Sequence, residues 1–313
     1  MKKLKTAIIV TVVITYLLVL AGALVRATGS GMGCPDWPKC FGQYIPPTNI
    51  TQLPANYKEI FKVQGKTIAD FNAFHTWVEY LNRLLGVVEG FAILVVVFFA
   101  FKIKKENRKV WFSSLMSLLL VLIIGWVGSK VVSSNLAPAK ITLHMILALL
   151  LVFNLIGTYY LCIKTNTDNQ SNNKNIFNLT IALFFATILQ IIIGTQVRQQ
   201  VDEITVKLQN AHREVWIENL DFIFDIHKIF ALVIVVIFWF TYYLASKNNM
   251  QNLKKLVLIN CVLVSLEFII GNVLAYSMPA FAQPLHIFIA DMLAGTLFYT
   301  LLVSKPIAGN NTK

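Results

Sequence analysis

A stripe of polar side chains occurs in the stretch Phe74–Gly86 (FHTWVEYLNRLLG), inside a chain that is otherwise strongly apolar. At ~100° per residue, His75, Glu79 and Asn82 fall within roughly 60° of one another on a helix, and Arg83 lies beside them. The group combines a titratable acid, an imidazole and a cation, so it could move protons and hold an anionic ligand. Because ionisable groups at membrane depth are costly, the stripe predicts a functional site.

The composition of the chain indicates that this stripe belongs to a membrane-spanning helix. The 313 residues are 57% hydrophobic and only 13% charged, and a soluble domain would carry about twice that charge. A membrane helix needs roughly 20 apolar residues. Eight runs of that kind are found at 7–26, 76–101, 110–130, 141–163, 176–197, 222–245, 254–275 and 284–304. The sequence therefore predicts an all-α integral membrane protein with eight transmembrane helices.

The basic residues that give the chain its net charge of +12 are distributed as the predicted topology requires. Basic residues cluster before the first span, after the eighth, and in the connections that follow the second, fourth and sixth spans, which all fall on one side of the membrane. The positive-inside rule then places both termini in the cytoplasm, and a nucleic-acid partner is not expected. No Arg- and Ser-rich presequence precedes the first span, so organelle import is not indicated and a bacterial cell membrane is the expected location. The span lacks a small-residue cleavage site, so we expect it to be retained.

Short motifs repeat in the same order in the two halves of the chain, at separations of 142 to 146 residues for three pairs and 172 for the fourth. The pairs are Gly22–Arg26 with Gly194–Arg198, Asn82 with His227, Ile123–Val127 with Ile269–Val273, and His144 with His286. The repetition predicts two pseudo-symmetric four-helix bundles related by an axis along the membrane normal. The bundles would comprise residues 1–163 and 176–313, joined by a cytoplasmic linker at 164–175.

Histidines at the outer ends of the even-numbered spans are candidate haem ligands. His227 and His286 belong to the second bundle, where two opposed imidazoles would hold a haem iron axially. Structural hydrogen bonding is the simpler alternative, but polar groups at membrane depth tend to be functional. The first bundle keeps His144, has Asn82 in the position of His227, and adds the acid Glu79. We therefore predict an electron-transferring haem in the second bundle and a reacting site in the first.

Cations at the same membrane level could bind haem propionates through charge-assisted hydrogen bonds. Arg26 and Arg198 lie at the outer ends of the first and fifth spans, and Arg83 and Lys228 stand beside the ligand positions. Snorkelling to the interface would explain each cation separately, but it would not explain why they repeat.

These motifs resemble the haem A synthase family, also called the cytochrome oxidase assembly factor 15 family, over essentially the whole chain. The resemblance rests on Gly22–Gly42 (GALVRATGSGMGCPDWPKCFG), Glu79–Gly86 (EYLNRLLG), His144, His227 and His286. It implies an oxidoreductase that converts the C8 methyl group of haem O to a formyl group, giving haem A for terminal oxidases.

The resemblance also implies roles for individual residues. It implies a haem b cofactor on His227 and His286, a substrate haem O on His144, and a catalytic Glu79. At Asn82 the family pattern has a histidine. His75, about 10 Å nearer the outer surface, or a water held by Asn82 would complete the substrate-iron site.

Cys34 and Cys40 flank PDWPK in the first outer loop. A close pair in a Gly- and Pro-rich loop outside the cytoplasm predicts a disulfide. Both a structural staple and a redox-active pair remain open.

The expected partners are haem O, its synthase (a protohaem farnesyltransferase) and the lipid bilayer. The electron acceptor is left open between a quinone and a thiol-redox protein, as are self-association and the roles of the acids Glu267 and Asp291.

Two other functions are compatible with parts of the sequence. A di-haem membrane cytochrome would carry electrons without altering haem. Such a carrier could use the same two-histidine site in both bundles, so the difference between the bundles argues against it. A membrane thiol oxidoreductase would use Cys34 and Cys40, yet it would leave the repeated polar positions unexplained. The sequence favours the haem-modifying enzyme over both.

Overall fold

The computed structural model describes residues 1–163, 173–208, 215–248, 250–277, 279 and 281–306, without the side chains of residues 206, 252 and 277. Within these residues the chain forms nine helices and one 3-10 turn, and no β-strand. Most of the predicted linker, residues 164–172, lies outside the described residues.

Eight helices are long and apolar enough to cross a membrane, which confirms the predicted fold class. They are α1 (Lys2–Ala27), α3 (Ala73–Lys102), α4 (Arg108–Ser133), α5 (Pro138–Ile163), α6 (Lys174–Lys207), α7 (Phe222–Lys247), α8 (Gln251–Ser277) and α9 (Ala282–Ser304). The short helix α2 (Tyr57–Ile60) and the 3-10 turn Ile50–Gln52 lie in the loop between α1 and α3.

Several helices begin where a polar side chain satisfies the first free backbone amides. Asn72 accepts a hydrogen bond from the backbone of α3 (3.2 Å), and Asn107 does the same for α4 (3.2 Å). Asp221 accepts from the first turn of α7 at 2.9 Å. The helix α5 begins instead with Pro138, whose missing amide hydrogen costs nothing at a first helical position.

The described residues form two compact units. The first contains Met1–Ile163 together with Gln283–Phe288, and the second contains the rest of the described chain. In the first unit, α1 packs on α3 and α5, and α4 packs on the same two helices, so the four close a ring. In the second unit, α7 packs between α6 and α8, and α9 adds Leu293 and Leu297 to the core.

The interface between α1 and α3 sets the register of the first unit. Near one end, Leu4 and Ile8 of α1 share a buried cluster with Val96 and Ala100 of α3. The two helices run antiparallel, so each step of seven residues forward on α1 corresponds to seven residues back on α3. This register aligns the polar positions described below.

A hydrogen-bonded polar contact joins the last two helices of the first unit. The side-chain nitrogen of Asn154 on α5 donates to the carbonyl of Ser113 (2.8 Å) and to the hydroxyl of Ser117 (2.7 Å) on α4. The Ser113 hydroxyl also lies 2.7 Å from the Thr158 hydroxyl. The half-buried amide is thus satisfied inside one helical hairpin.

A similar contact joins α8 and α9 in the second unit. Asn260 donates to the hydroxyl of Thr300 at 2.8 Å and accepts from the hydroxyl of Thr296 at 2.7 Å. Asn260 and Thr300 are each 1% exposed. Here the amide belongs to the first helix of the hairpin, whereas in α4–α5 it belongs to the second.

Candidate functional site

The loop between α1 and α3 is closed by a disulfide between Cys34 and Cys40, as the sequence predicts, and both side chains are fully buried. The ring of Phe41 beside it contacts three other aromatic rings at 5.4 to 6.2 Å: those of Tyr57, Phe61 and Phe71. The carboxylate of Asp36 accepts from the backbone amides of Phe41 (2.6 Å) and Gly42 (2.9 Å). The loop therefore has a small packed core of its own.

Glu79 of α3 binds the backbone of this loop. Its side chain is 4% exposed, and its Oε2 accepts from the amide of Cys34 at 2.9 Å. Its Oε1 accepts from the guanidinium of Arg83 at 2.5 Å. Both carboxylate oxygens are therefore engaged, and the predicted catalytic acid is hydrogen-bonded to a residue of the disulfide.

Arg83 fastens the loop to α3. Besides the ion pair with Glu79, it donates to the carbonyl of Cys34 (2.9 Å), to that of Asp36 (2.7 Å) and to that of Lys39 (3.0 Å). Its side chain is only 14% exposed. In this structure the guanidinium is committed to the loop, so a propionate contact by Arg83, as the sequence suggests, would compete with these bonds.

Asn82 faces a glycine of the neighbouring helix. A Cβ atom built on Gly22 of α1 would stand 3.8 Å from Oδ1 of Asn82. This buried oxygen has no hydrogen-bond partner among the residues that the structure describes. His75 lies in the first turn of α3, where its ring meets that of Phe74 edge to face at 5.8 Å. The two candidates for the second substrate-iron ligand thus lie two turns apart.

His144 of α5 lies against α4. A Cβ built on Gly128 would be 3.3 Å from its Cε1. Its buried Nδ1 has no partner in the described part of the chain. An imidazole wedged on a glycine, with a ring nitrogen unengaged, fits a ligand for an iron porphyrin.

His227 of α7 has the same kind of seat in the second unit. A Cβ on Gly194 of α6 would lie 3.1 Å from its Cε1, closer than nearly all real contacts, and Gln190 donates to its backbone carbonyl at 2.9 Å. Glycine therefore supplies the space that a ring needs at this position. Gly194 is also the residue that the sequence pairs with Gly22, which faces Asn82.

The remaining predicted site residues lie on α1, α6, α7 and α9. His286 is in the first turns of α9, within the segment that groups with the first unit, and Arg26 is in the last turn of α1. Arg198 pairs with Asp202 at 2.6 Å. Lys228 pairs with Asp225 at 2.9 Å and lies 4.5 Å from the centre of the Phe224 ring.

The described residues contain no group of three or more histidines, cysteines or acids that could hold a metal ion. Axial haem ligation needs at most two protein side chains for each iron, so this arrangement remains compatible with porphyrin binding.

The sequence patterns do not point to Asp36, which organises the loop backbone, or to Gly128; they pair Gly22 with Gly194 but do not show that these glycines seat polar side chains. They also do not assign a role to Glu89, which is fully buried and hydrogen-bonded to Thr15. The spacing of His75, Asn82 and Glu89, seven residues apart, would have pointed to it.

These features are those of a multi-pass membrane protein with candidate porphyrin ligands on its helices and a disulfide-closed loop that is hydrogen-bonded to Glu79 and Arg83. The chain belongs to the COX15-CtaA family of cytochrome oxidase assembly proteins, whose family model matches residues 5–298. This confirms the family that the sequence motifs suggest.

Curated relatives carry the name haem A synthase. That of Ehrlichia canis is 26% identical over 314 residues, covering 91% of this chain and 88% of the relative. That of Listeria monocytogenes serotype 4a is 21% identical over 328 residues, covering 100% and 98%. The match to the protein of Shewanella oneidensis, 27% over 187 residues, takes in 59% of this chain and spans only about half of the relative, 54%.

Proposed function

We propose that this protein is a haem A synthase, an oxidoreductase that converts the C8 methyl group of haem O to a formyl group. Family membership and the names of the relatives support the assignment. The observation that carries it is the inequality of two similar sites. A glycine seats His227 on α7 but Asn82 on α3, and the acid Glu79 is present only beside Asn82.

In this proposal the second bundle holds haem b through His227 and His286, with Arg198 and Lys228 near its propionates. The group would supply one-electron redox chemistry when bound. The imidazole of His227, which lies against Gly194, is the observation that fits such a ligand.

The first bundle would bind the substrate, haem O. His144 would hold its iron, Arg26 would bind its propionates, and Asn82 or His75 would complete the site. Conversion of a methyl to a formyl group takes its oxygen atom from water and is a four-electron oxidation that also releases four protons. Glu79 would receive a proton in this step, and the hydrogen bonds that its Oε1 and Oε2 accept hold the carboxylate in a fixed position. The electrons leave to a quinone or to a thiol-redox protein.

The same proposal places the protein in a bacterial cell membrane with both termini in the cytoplasm. The buried Cys34–Cys40 disulfide supports this orientation, because disulfides persist on the oxidising, non-cytoplasmic side. The basic connections then face the cytoplasm.

Expression beside a haem O producer tests the reaction. Extracted haems analysed by mass should contain the formyl product, and unchanged haem O would instead favour an electron-carrying di-haem cytochrome. Glu79→Gln should keep the b-type spectrum and the disulfide but stop haem A formation, because the carboxamide cannot take up a proton. The matched control is Glu106→Gln, which alters an exposed acid in the α3–α4 connection and should leave the product unchanged.

A further inference from the structure

Glu89 is a second buried acid on α3, and the proposed reaction does not use it. Its side chain is 0% exposed, and Thr15 of α1 donates to its Oε1 at 2.6 Å. Its Oε2 has no hydrogen-bond partner within the part of the chain that the structure describes. A carboxyl group in the middle of a membrane helix with one oxygen unengaged is costly, which points to a ligand.

The pair formed by Thr15 and Glu89 lies one heptad inward from the pair formed by Gly22 and Asn82. The side chains of Asn82 and Glu89 both meet α1, and seven residues of helix separate them by about 10 Å along the membrane normal. If Asn82 stands at the level of the substrate iron, Glu89 stands inward of the macrocycle rim, at the depth of a substituent on its inner edge. Gly86, between them on α3, has open space where a side chain would begin.

The second unit has the same register without the acid. Gly194 faces His227, and one heptad inward the corresponding positions are Thr187 and Ile234, which are 4% and 3% exposed. The threonine is present in both units, whereas an apolar side chain replaces the acid in the second. The carboxyl group is thus specific to the bundle that the proposed function gives to the substrate.

Resting on the proposed function, we propose that Glu89 and Thr15 bind the hydroxyl group on the side chain of the substrate haem and select haem O over haem B. Haem O carries a hydroxyethylfarnesyl group where haem B has a vinyl group, and this hydroxyl lies close to the rim of the macrocycle. The hydroxyl would engage the open oxygen of Glu89. Haem B would leave that oxygen unsatisfied, which is the strongest form of discrimination that a buried polar group offers.

A proton path from the cytoplasm is the competing use of Glu89. The next layer inward at this interface is Thr11 with Ile93, and the Thr11 hydroxyl donates to the backbone carbonyl of Ala7 of its own helix at 2.8 Å. Beyond it lie Ile8 with Val96 and Leu4 with Ala100, all buried and apolar. These four side chains cannot donate or accept a proton, so an apolar zone separates the acid from the inner end of the interface. A terminal binding group fits this position better than a relay.

The test is titration of the purified full-length protein in nanodiscs with haem O and, separately, with haem B, followed by Soret absorbance. Glu89→Ile, which copies the second unit, should weaken haem O binding on the order of 10- to 100-fold and change haem B binding by less than about threefold. Thr15→Val should act in the same direction with a smaller effect. Glu89→Gln should retain most of the preference, and the exposed Glu106→Gln is the control.

Equal weakening of both haems in Glu89→Ile, or no change in either, would overturn the recognition site, since a structural role does not alter their ratio. The proposed reaction fails separately. If the wild-type protein makes no haem A but Glu89→Ile abolishes the preference for haem O, the proposed reaction is refuted and the recognition site is supported. A wild-type protein that makes haem A while Glu89→Ile keeps the preference refutes only the site.

Discussion

Replacing Arg83 by methionine should release the Cys34–Cys40 loop from α3 while the helices stay folded. Arg83 donates to three loop carbonyl groups and to the buried Glu79. A typical net value of about 1 kcal/mol for each of the three loop contacts gives about 3 kcal/mol of local stability. Since every 1.4 kcal/mol is about tenfold, the loop should open on the order of 100 times more often.

Hydrogen exchange followed by mass spectrometry measures this opening in the full-length protein. Backbone amides in residues 33–43 should exchange on the order of 100-fold faster in Arg83→Met, and peptides from the middle of α4 should not change. Lys102→Met is the matched control, because Lys102 is an exposed cation at the other end of the same helix. The double variant Arg83→Met with Glu79→Gln should lose less than the sum of the two single variants, since no buried charge is then left alone.

Loop exchange within about threefold of wild type in Arg83→Met would refute the reasoning, because the hydrogen bonds would then contribute nothing measurable. Strict additivity in the double variant would show that Glu79 and Arg83 act independently and that their ion pair has no role in holding the loop.

Two glycine substitutions test the close contacts. Gly33→Ala places a Cβ against the backbone of α3, so the loop should move away from the helix and its disulfide should be reduced faster. Gly86→Ala is the control, because Gly86 has open space around it. Equal reduction rates in the two variants would count against the contact. Gly194→Ala places a Cβ against the ring of His227 and should shift or weaken the b-type spectrum. Gly125→Ala, at a position with open space, is the control and should leave the spectrum unchanged. Identical spectra in the two variants would remove His227 from the proposed ligands.

The eight spans could be predicted because hydrocarbon thickness imposes a minimum length of apolar sequence. Their ends were less accessible. The sequence placed the end of the fifth span at residue 197, but α6 continues to Lys207, because polar residues extend a helix beyond the hydrocarbon without an apolar signal. In the same way, α3 begins at Ala73, where the Asn72 cap sets the start.

The site was predictable where one helix carries it and obscure where two elements meet. The helical period alone groups His75, Glu79 and Asn82 on one face. The bonds of Arg83 to loop carbonyls depend on the loop conformation, which no spacing rule encodes. A role for Glu89 can be assigned only when the register of α1 against α3 is known, because its hydrogen-bond partner Thr15 is distant in sequence.

The polar contacts inside the α4–α5 and α8–α9 hairpins bear on how the chain enters the bilayer. Asn154 and Asn260 are amides that would hinder a lone helix from partitioning into lipid, yet each finds its partners on the adjacent helix of its own hairpin. Each pair of helices can therefore leave the insertion machinery together, with its amide already hydrogen-bonded inside the pair. Biogenesis by hairpins would let both halves settle in the membrane before any porphyrin arrives.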